Sequence, residues 1–332
     1  MMSNAAKNIL GTPTIHNNAN FNATITAQLL HKAIGEKNKD EVIRLLCTIS
    51  NQQRQEVVVE FKSLFGEDLP SRLKKALSGD LEELILALLE LPSVFEARQL
   101  YKAMSGLMGT KESVLIEILT THSNRQIGEM KRVYEKLYGH PLEKDIVGDT
   151  SGPFQHLLVS LCNESRDESW NTDPLRANMV ARTLFKKSEV ESGVDDAVFN
   201  QVLANENFNQ LHLIFTEYEK VSGHTIDQAI QQQFSGETRD GFMAVVECVR
   251  NRHAFFAKLL QNATKGFFGI GNLGIGTRDS DLIRLIVSRA ECDMAEIKDQ
   301  YMQMYNTTLE NAIEKNCSGS YKEGLLTLIK GN

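Results

Sequence analysis

The chain has 332 residues, 42% of them apolar, and a formal net charge of −7. That length admits several ordinary domains or one repeat array, and the apolar fraction admits substantial cores. The acidic balance argues against nucleic acid as a partner, because binding phosphates directly needs a basic face. It still allows an anionic partner bridged by a dication, which inverts the local field.

No run of eighteen apolar residues occurs, so no segment is expected to span a bilayer. The first residues, MMSNAAKNILGTPTIHNNANFNA, lack the apolar core of a signal peptide. Cys47, Cys162, Cys248, Cys292 and Cys317 are scattered, with no metal-site or redox-motif spacing. They read as reduced, structural thiols of a cytoplasmic protein. Six prolines and long helical periodicity predict a nearly all-helical fold.

In chain order, the first helix is predicted over about 24–35, with Thr24 or Thr26 as N-cap. A second begins near Asp40, with Val42, Ile43, Leu45 and Leu46 on its apolar face. A third follows over about 51–64 with Asn51 as cap, then a brief one over about 68–77. The fifth, over about 80–91, is expected to be broken by Pro92.

This group of five recurs. FKSLFGEDL from Phe61, YEKLYGHPL from Tyr134, YEKVSGHTI from Tyr218 and YMQMYNTTL from Tyr301 each precede a Ser-Gly pair. From the aromatic to Gly79, Gly152, Gly236 and Gly319 the distance is 18 residues every time. Four copies in phase imply an internal repeat. The predicted organisation is a tail 1–23, then repeats over 24–92, 93–162, 174–250 and 251–332. The polar stretch 163–173 is a candidate linker between two halves, with Trp170 as a partly buried anchor or, alternatively, a membrane or ligand contact.

The residues that complete the picture are GIGTRDSDLIRLIVSRAE with NCSGSYKEGLL in the fourth copy, and MGTKESVLIEILTTHSN with DTSG in the second. A Gly-X-Gly-Thr loop followed forty residues on by a carboxylate resembles the annexin pattern, over about residues 20–330. The resemblance implies an all-α fold: a right-handed superhelical array of four five-helix repeats forming a curved disc. It also implies calcium-dependent binding of acidic phospholipid membranes through interhelical loops on the convex face.

The chemistry of such a loop is that of a hard cation. Calcium takes six to eight oxygens, glycines let a turn aim several carbonyls at one point, and one distant carboxylate adds charge. By the resemblance, repeat 2 supplies carbonyls from Met104, Gly106 and Gly109 and the carboxylate of Asp149; its loop is one residue longer than the pattern. Repeat 4 supplies Asn272, Gly274 and Gly276, with Asn316 in place of the carboxylate and hence a weaker site. In repeat 3 Ser188, Glu191 and Gly193 remain, but the distal residue is Gln233. Repeat 1 lacks the motif, its distal residue is Ala76, and Lys37 and Lys39 either touch headgroups or sit in a solvated loop. Leu107 and Met108 are candidate membrane contacts, and Phe267, Phe268 and Ile270, in an insertion before the fourth motif, either enter the bilayer interface or fold back on the disc. The alternative for Asp149 is a cap on the following turn.

The string from Gly269 to Gly274 also matches a dinucleotide fingerprint, but it follows a helix rather than a strand and is rejected. No nucleophile elbow, phosphate loop or paired carboxylates occur, so no enzyme activity is expected. Glu96 and Arg284 fall where relatives line a polar channel, while Gln99 and His122 depart from that pattern; internal salt bridging is the expected role. The expected function is calcium-dependent membrane organisation or tethering, with the protein cytoplasmic and peripheral at membranes when calcium rises. Cytoskeletal protein is a further candidate partner, and the rival reading is a calcium-independent scaffold.

Overall fold

The computed structural model describes residues 11–106, 109–187, 196–265 and 278–332, and among them there are twenty helices and no strand. They fall into four blocks of five. The first holds α1 (Ala23–Gly35), α2 (Lys39–Leu46), α3 (Asn51–Phe65), α4 (Leu69–Ala76) and α5 (Gly79–Leu89). The second holds α6 (Pro92–Met104), α7 (Glu112–Thr121), α8 (Asn124–Tyr138), α9 (Leu142–Asp149) and α10 (Gly152–Cys162). The third holds α11 (Pro174–Phe185), α12 (Asp196–Asn205), α13 (Phe208–Ser222), α14 (Ile226–Gln233) and α15 (Gly236–Arg250). The fourth holds α16 (Arg252–Thr264), α17 (Asp279–Ala290), α18 (Met294–Tyr305), α19 (Leu309–Asn316) and α20 (Gly319–Lys330).

The phase marker read from the sequence is a core feature. Phe61, Tyr134, Tyr218 and Tyr301 are all fully buried. Each lies on the third helix of its block. Those helices begin under Ser50, Ser123 and Asn207 caps in the first three blocks, and at Ser50 and Ser123 a glutamine three residues on completes a capping box. They end on a left-handed residue: Gly66, Gly139, Gly223, and Asn306 in the fourth block. The fourth helix has eight residues in every block. Each Ser-Gly pair then starts the fifth helix, with φ of +62°, +60°, +56° and +62° at Gly79, Gly152, Gly236 and Gly319. A left-handed turn at the same register in all four favours glycine there.

Some local expectations are corrected. Asn22, not Thr24 or Thr26, caps α1, its side chain accepting from the Ile25 N–H. Ser50 caps α3, and Asn51 is the first helical residue. Pro92 does not break α5, which ends at Leu89 with Glu90 as its C-cap; it opens α6, where its missing N–H costs nothing.

The chain forms two compact units, Ser93–Arg252 and a discontinuous one made of Met1–Pro92 with His253–Asn332. In the discontinuous unit α5 packs on α17, and α20 on α2. Buried Arg54 on α3 reaches Glu291 at 2.9 Å, which also accepts from the Asn51 N–H. The segment before α1 is docked rather than loose. Ala290 O accepts from the N–H groups of Thr14 and Ile15, Glu296 accepts from Thr12, and Ile15 is 2% exposed.

In the other unit α7 packs on α15, and α10 on α12. The 163–173 stretch lies inside this unit rather than between two halves. Trp170 is 59% exposed rather than a partly buried anchor. Arg166 holds the stretch instead: its guanidinium lies 4.9 Å over the Phe208 ring and donates to the carbonyls of Leu203 and Glu206. None of the five cysteines is in a disulfide, and burial pushes Cys47 and Cys162 up to about 12. No helix among the described residues is long and apolar enough to cross a membrane.

Candidate calcium-binding loops

In repeats 1, 2 and 4 the loop between the first two helices is closed by one recurring backbone hydrogen bond. In repeat 2 Lys111 N donates to Ala103 O at 2.8 Å, in repeat 4 Arg278 N to Ala263 O at 2.9 Å, and in repeat 1 Asn38 N to Ala33 O at 2.9 Å. The alanines occupy one register on their helices, so the bond measures the loop. It encloses residues 104–110 in repeat 2 and 264–277 in repeat 4, but only 34–37 in repeat 1. Four residues leave little chain for a cage of carbonyls, which accounts physically for the missing motif.

In repeat 2 two hydrogen bonds order the described part of the loop and tie it to the end of α9. Met104 is the last residue of α6, and Gly106 O accepts from Gly109 N at 3.3 Å, closing a turn. Gly109 holds φ +93°, a value that L side chains rarely adopt. Thr110 Oγ1 donates to Asp149 O at 3.3 Å, which ties the loop to the end of α9. Asp149 is exposed at that end. The Thr150 N–H and hydroxyl both donate to Ile146 O, and no hydrogen bond to the Asp149 carboxylate occurs among the described residues. The capping alternative therefore has no support in the geometry. Leu107 and Met108 lie outside the described residues.

The donor set fits calcium. Among the described residues no three His, Cys, Asp or Glu side chains cluster, so a cation here would rely mainly on carbonyls, with one or two carboxylates adding charge. Each carbonyl has two lone pairs, so Gly106 O keeps one beyond its bond to Gly109. Oxygen-only ligation suits a hard cation and excludes a zinc-type nitrogen and sulfur site. Sequence reasoning missed one feature. Glu112, Asp196 and Asp279 each open the second helix of their repeat, placing a further carboxylate where the loop ends. The residue after the closing donor would have revealed it.

The other repeats keep the position and vary the chemistry. Ala76, Asp149, Gln233 and Asn316 are each the last residue of an eight-residue helix. Asn316 Nδ2 donates to Ala312 O at 2.8 Å. Gln233 Oε1 is shielded from solvent and has no hydrogen-bond partner among the described residues. A buried unpaired oxygen is costly, and this one sits at the register where a cation ligand is expected. Ser188, Glu191 and Gly193, Asn272, Gly274 and Gly276, and the Phe267, Phe268 and Ile270 insertion lie outside the described residues.

Elsewhere, His122 Nε2 sits 2.7 Å from Glu96 Oε1 while its Nδ1 faces Ile118 O, and Arg284 pairs with Asp281 at 2.6 Å. Internal pairing, the expected role, is what both show.

The annexin family model matches residues 25–88, 95–161, 179–245 and 255–328. Human annexin A7 is 40% identical over 318 residues, covering 95% of this chain and 63% of the relative. The chain thus spans less than two thirds of that relative's length. The solved structure of annexin III superposes with a TM-score of 0.92 at 37% identity, covering 97% of this chain and 98% of that one. A calcium-bound annexin (Sm)1 structure superposes with a TM-score of 0.83 at 28% identity, covering 96% and 93%. The chain belongs to the annexin family.

Proposed function

We propose that the protein binds acidic phospholipid membranes in a calcium-dependent manner, through the loops that join the first two helices of its repeats, and acts by binding rather than catalysis. The observation that carries this reading is the repeat 2 loop, closed on Ala103 and tied through Thr110 to the helix end that bears Asp149. Met104, Gly106 and Gly109 would supply carbonyls and Asp149 the charge. The ion would offer its remaining positions to lipid phosphate. Calcium then raises lipid affinity and lipid raises calcium affinity by the same factor, and several loops add avidity. Asn272, Gly274, Gly276 and Asn316 would form a weaker site, and Ser188, Glu191, Gly193 and Gln233 a third. Leu107, Met108, Phe267, Phe268 and Ile270 would enter the interface beside them. On this reading the protein is cytoplasmic, moves to membranes when calcium rises, and organises or tethers them, with cytoskeletal protein as a further partner.

Sedimentation with phosphatidylserine vesicles across a calcium series tests it. Asp149→Ala is expected to shift the calcium midpoint upward; an unchanged midpoint removes the main site from repeat 2. One observation favours a second reading, a calcium-independent scaffold: Ala76, Gln233 and Asn316 carry no charge where the carboxylate belongs. Titration calorimetry that shows no calcium heat with or without lipid supports that reading instead.

A further inference from the structure

We propose that repeat 1 makes a calcium-independent contact with the phosphate groups of acidic lipids, through Lys37, Lys39, Lys74 and Lys75. The proposal rests on the reading that these loop ends meet a membrane.

The closing hydrogen bond puts repeats 1, 2 and 4 in register, and repeat 1 changes charge at each element of the site. The residue before the closing donor is Thr110 in repeat 2 and Lys37 in repeat 1. The residue that opens the second helix is Glu112, Asp196 or Asp279 in the other repeats and Lys39 here. At the end of the fourth helix the carboxylate position is Ala76, and Lys74 and Lys75 directly precede it. The same two positions are Val147 and Gly148 in repeat 2, Gln231 and Gln232 in repeat 3, and Glu314 and Lys315 in repeat 4. Repeat 1 alone has lysine at both.

These lysines are exposed, and among the described residues their ammonium groups form no ion pair. Three neighbouring acids are paired elsewhere: Glu36 faces Lys32 at 3.9 Å, Glu41 holds Arg44 at 2.6 Å, and Glu67 holds Arg72 at 2.7 Å, while Asp68 and Asp80 have no ion pair among the described residues. Of the acidic residues over 32–41, only Asp40 is without a basic partner. Fold stability does not account for the set. The helix macrodipole favours Lys74 and Lys75 at a C-terminal end, but it disfavours Lys39 at the start of α2. Lys37 holds φ +55°, a left-handed conformation that costs a non-glycine residue energy. In the other repeats a bound dication would present positive charge to phosphate; here the ammonium groups present it permanently.

The test uses the full chain in excess chelator, with phosphatidylserine vesicles and with pure phosphatidylcholine vesicles. Each lysine near an anionic surface contributes about fivefold in affinity. Replacing all four by Gln is expected to lower chelator-resistant binding to phosphatidylserine about 100-fold or more, while replacing all four by Arg retains it. Binding that is absent in the wild type, or equally lowered by Gln at Lys62, Lys136, Lys144 and Lys220, overturns the proposal. Displacement by inorganic phosphate as effective as that by vesicles would make free phosphate the ligand and overturn the lipid assignment. The calcium-dependent arm is read on the same variants. Its loss from the wild type rejects the calcium reading, whereas its survival beside an unchanged chelator arm rejects only this proposal.

Discussion

Removing the carboxylate of Glu291 should destabilise the unit formed by the first and last repeats more than any surface substitution. Arg54 is 1% exposed, and burial pulls its guanidinium below the usual range while Glu291 pushes it back up. Its Nε donates to Leu46 O at 2.8 Å, and its Nη1 faces Glu291 Oε1 at 2.9 Å. Nη2 has no hydrogen-bond partner among the described residues. The same carboxylate accepts from the Asn51 N–H at the start of α3, where the helix dipole favours an anion. Glu291→Ala therefore strands a buried cation and an open amide. Breaking a buried pair costs about 3–5 kcal/mol. The Glu291 side chain is 29% exposed, so water replaces part of what is lost, and about 3 kcal/mol is expected. For a domain of about 150–250 residues that corresponds to a melting shift of roughly 6–12 °C. Glu291→Gln, which keeps one acceptor oxygen, should lose about half. Differential scanning calorimetry of the full chain reads both. A shift below roughly 2–4 °C, the equivalent of 1 kcal/mol, for Glu291→Ala would refute the argument that this carboxylate compensates the buried guanidinium.

Two further outcomes are expected. Asn316→Asp restores charge at the end of α19 and should lower the calcium midpoint for vesicle binding, at a small stability cost from the lost Ala312 hydrogen bond; an unchanged or higher midpoint counts against a site in repeat 4. Burial raises the Glu296 carboxyl, but the two hydrogen bonds from Thr12 outweigh it and leave the group below its usual range. Because the folded value is depressed, its contribution is complete above the usual carboxylate range and is lost as pH falls through the folded value. Hydrogen exchange at the Thr12 amide, corrected for intrinsic rates, should accelerate in that acid window and be insensitive to pH there in Glu296→Gln.

The periodic part of this molecule was legible because the same packing problem is solved four times. A buried aromatic on the third helix and a left-handed glycine before the fifth cannot shift independently, so their constant spacing exposed the repeat. Cap identities were less legible. Thr24 and Asn51 are plausible caps in isolation, and the structure moves each cap outward, to Asn22 and to Ser50, which also hydrogen-bonds Asn17. Trp170 misled because size suggests burial, whereas the linker is fixed by a charged side chain over a ring. At the candidate sites, the distal position in each repeat was readable by counting. The acidic residue that opens the second helix was not, since its significance emerges only when the closing hydrogen bond aligns loops of different length.

The constancy of the fourth helix has a consequence for tuning. Eight residues in every repeat fix the height of one socket, and its occupant ranges over alanine, aspartate, glutamine and asparagine without disturbing the turn that follows. Valence has thus been separated from architecture. On the proposed calcium reading, a single substitution at residue 149, 233 or 316 would reset the threshold of one repeat while the others keep their own, so a graded response would be written into the chain one position at a time.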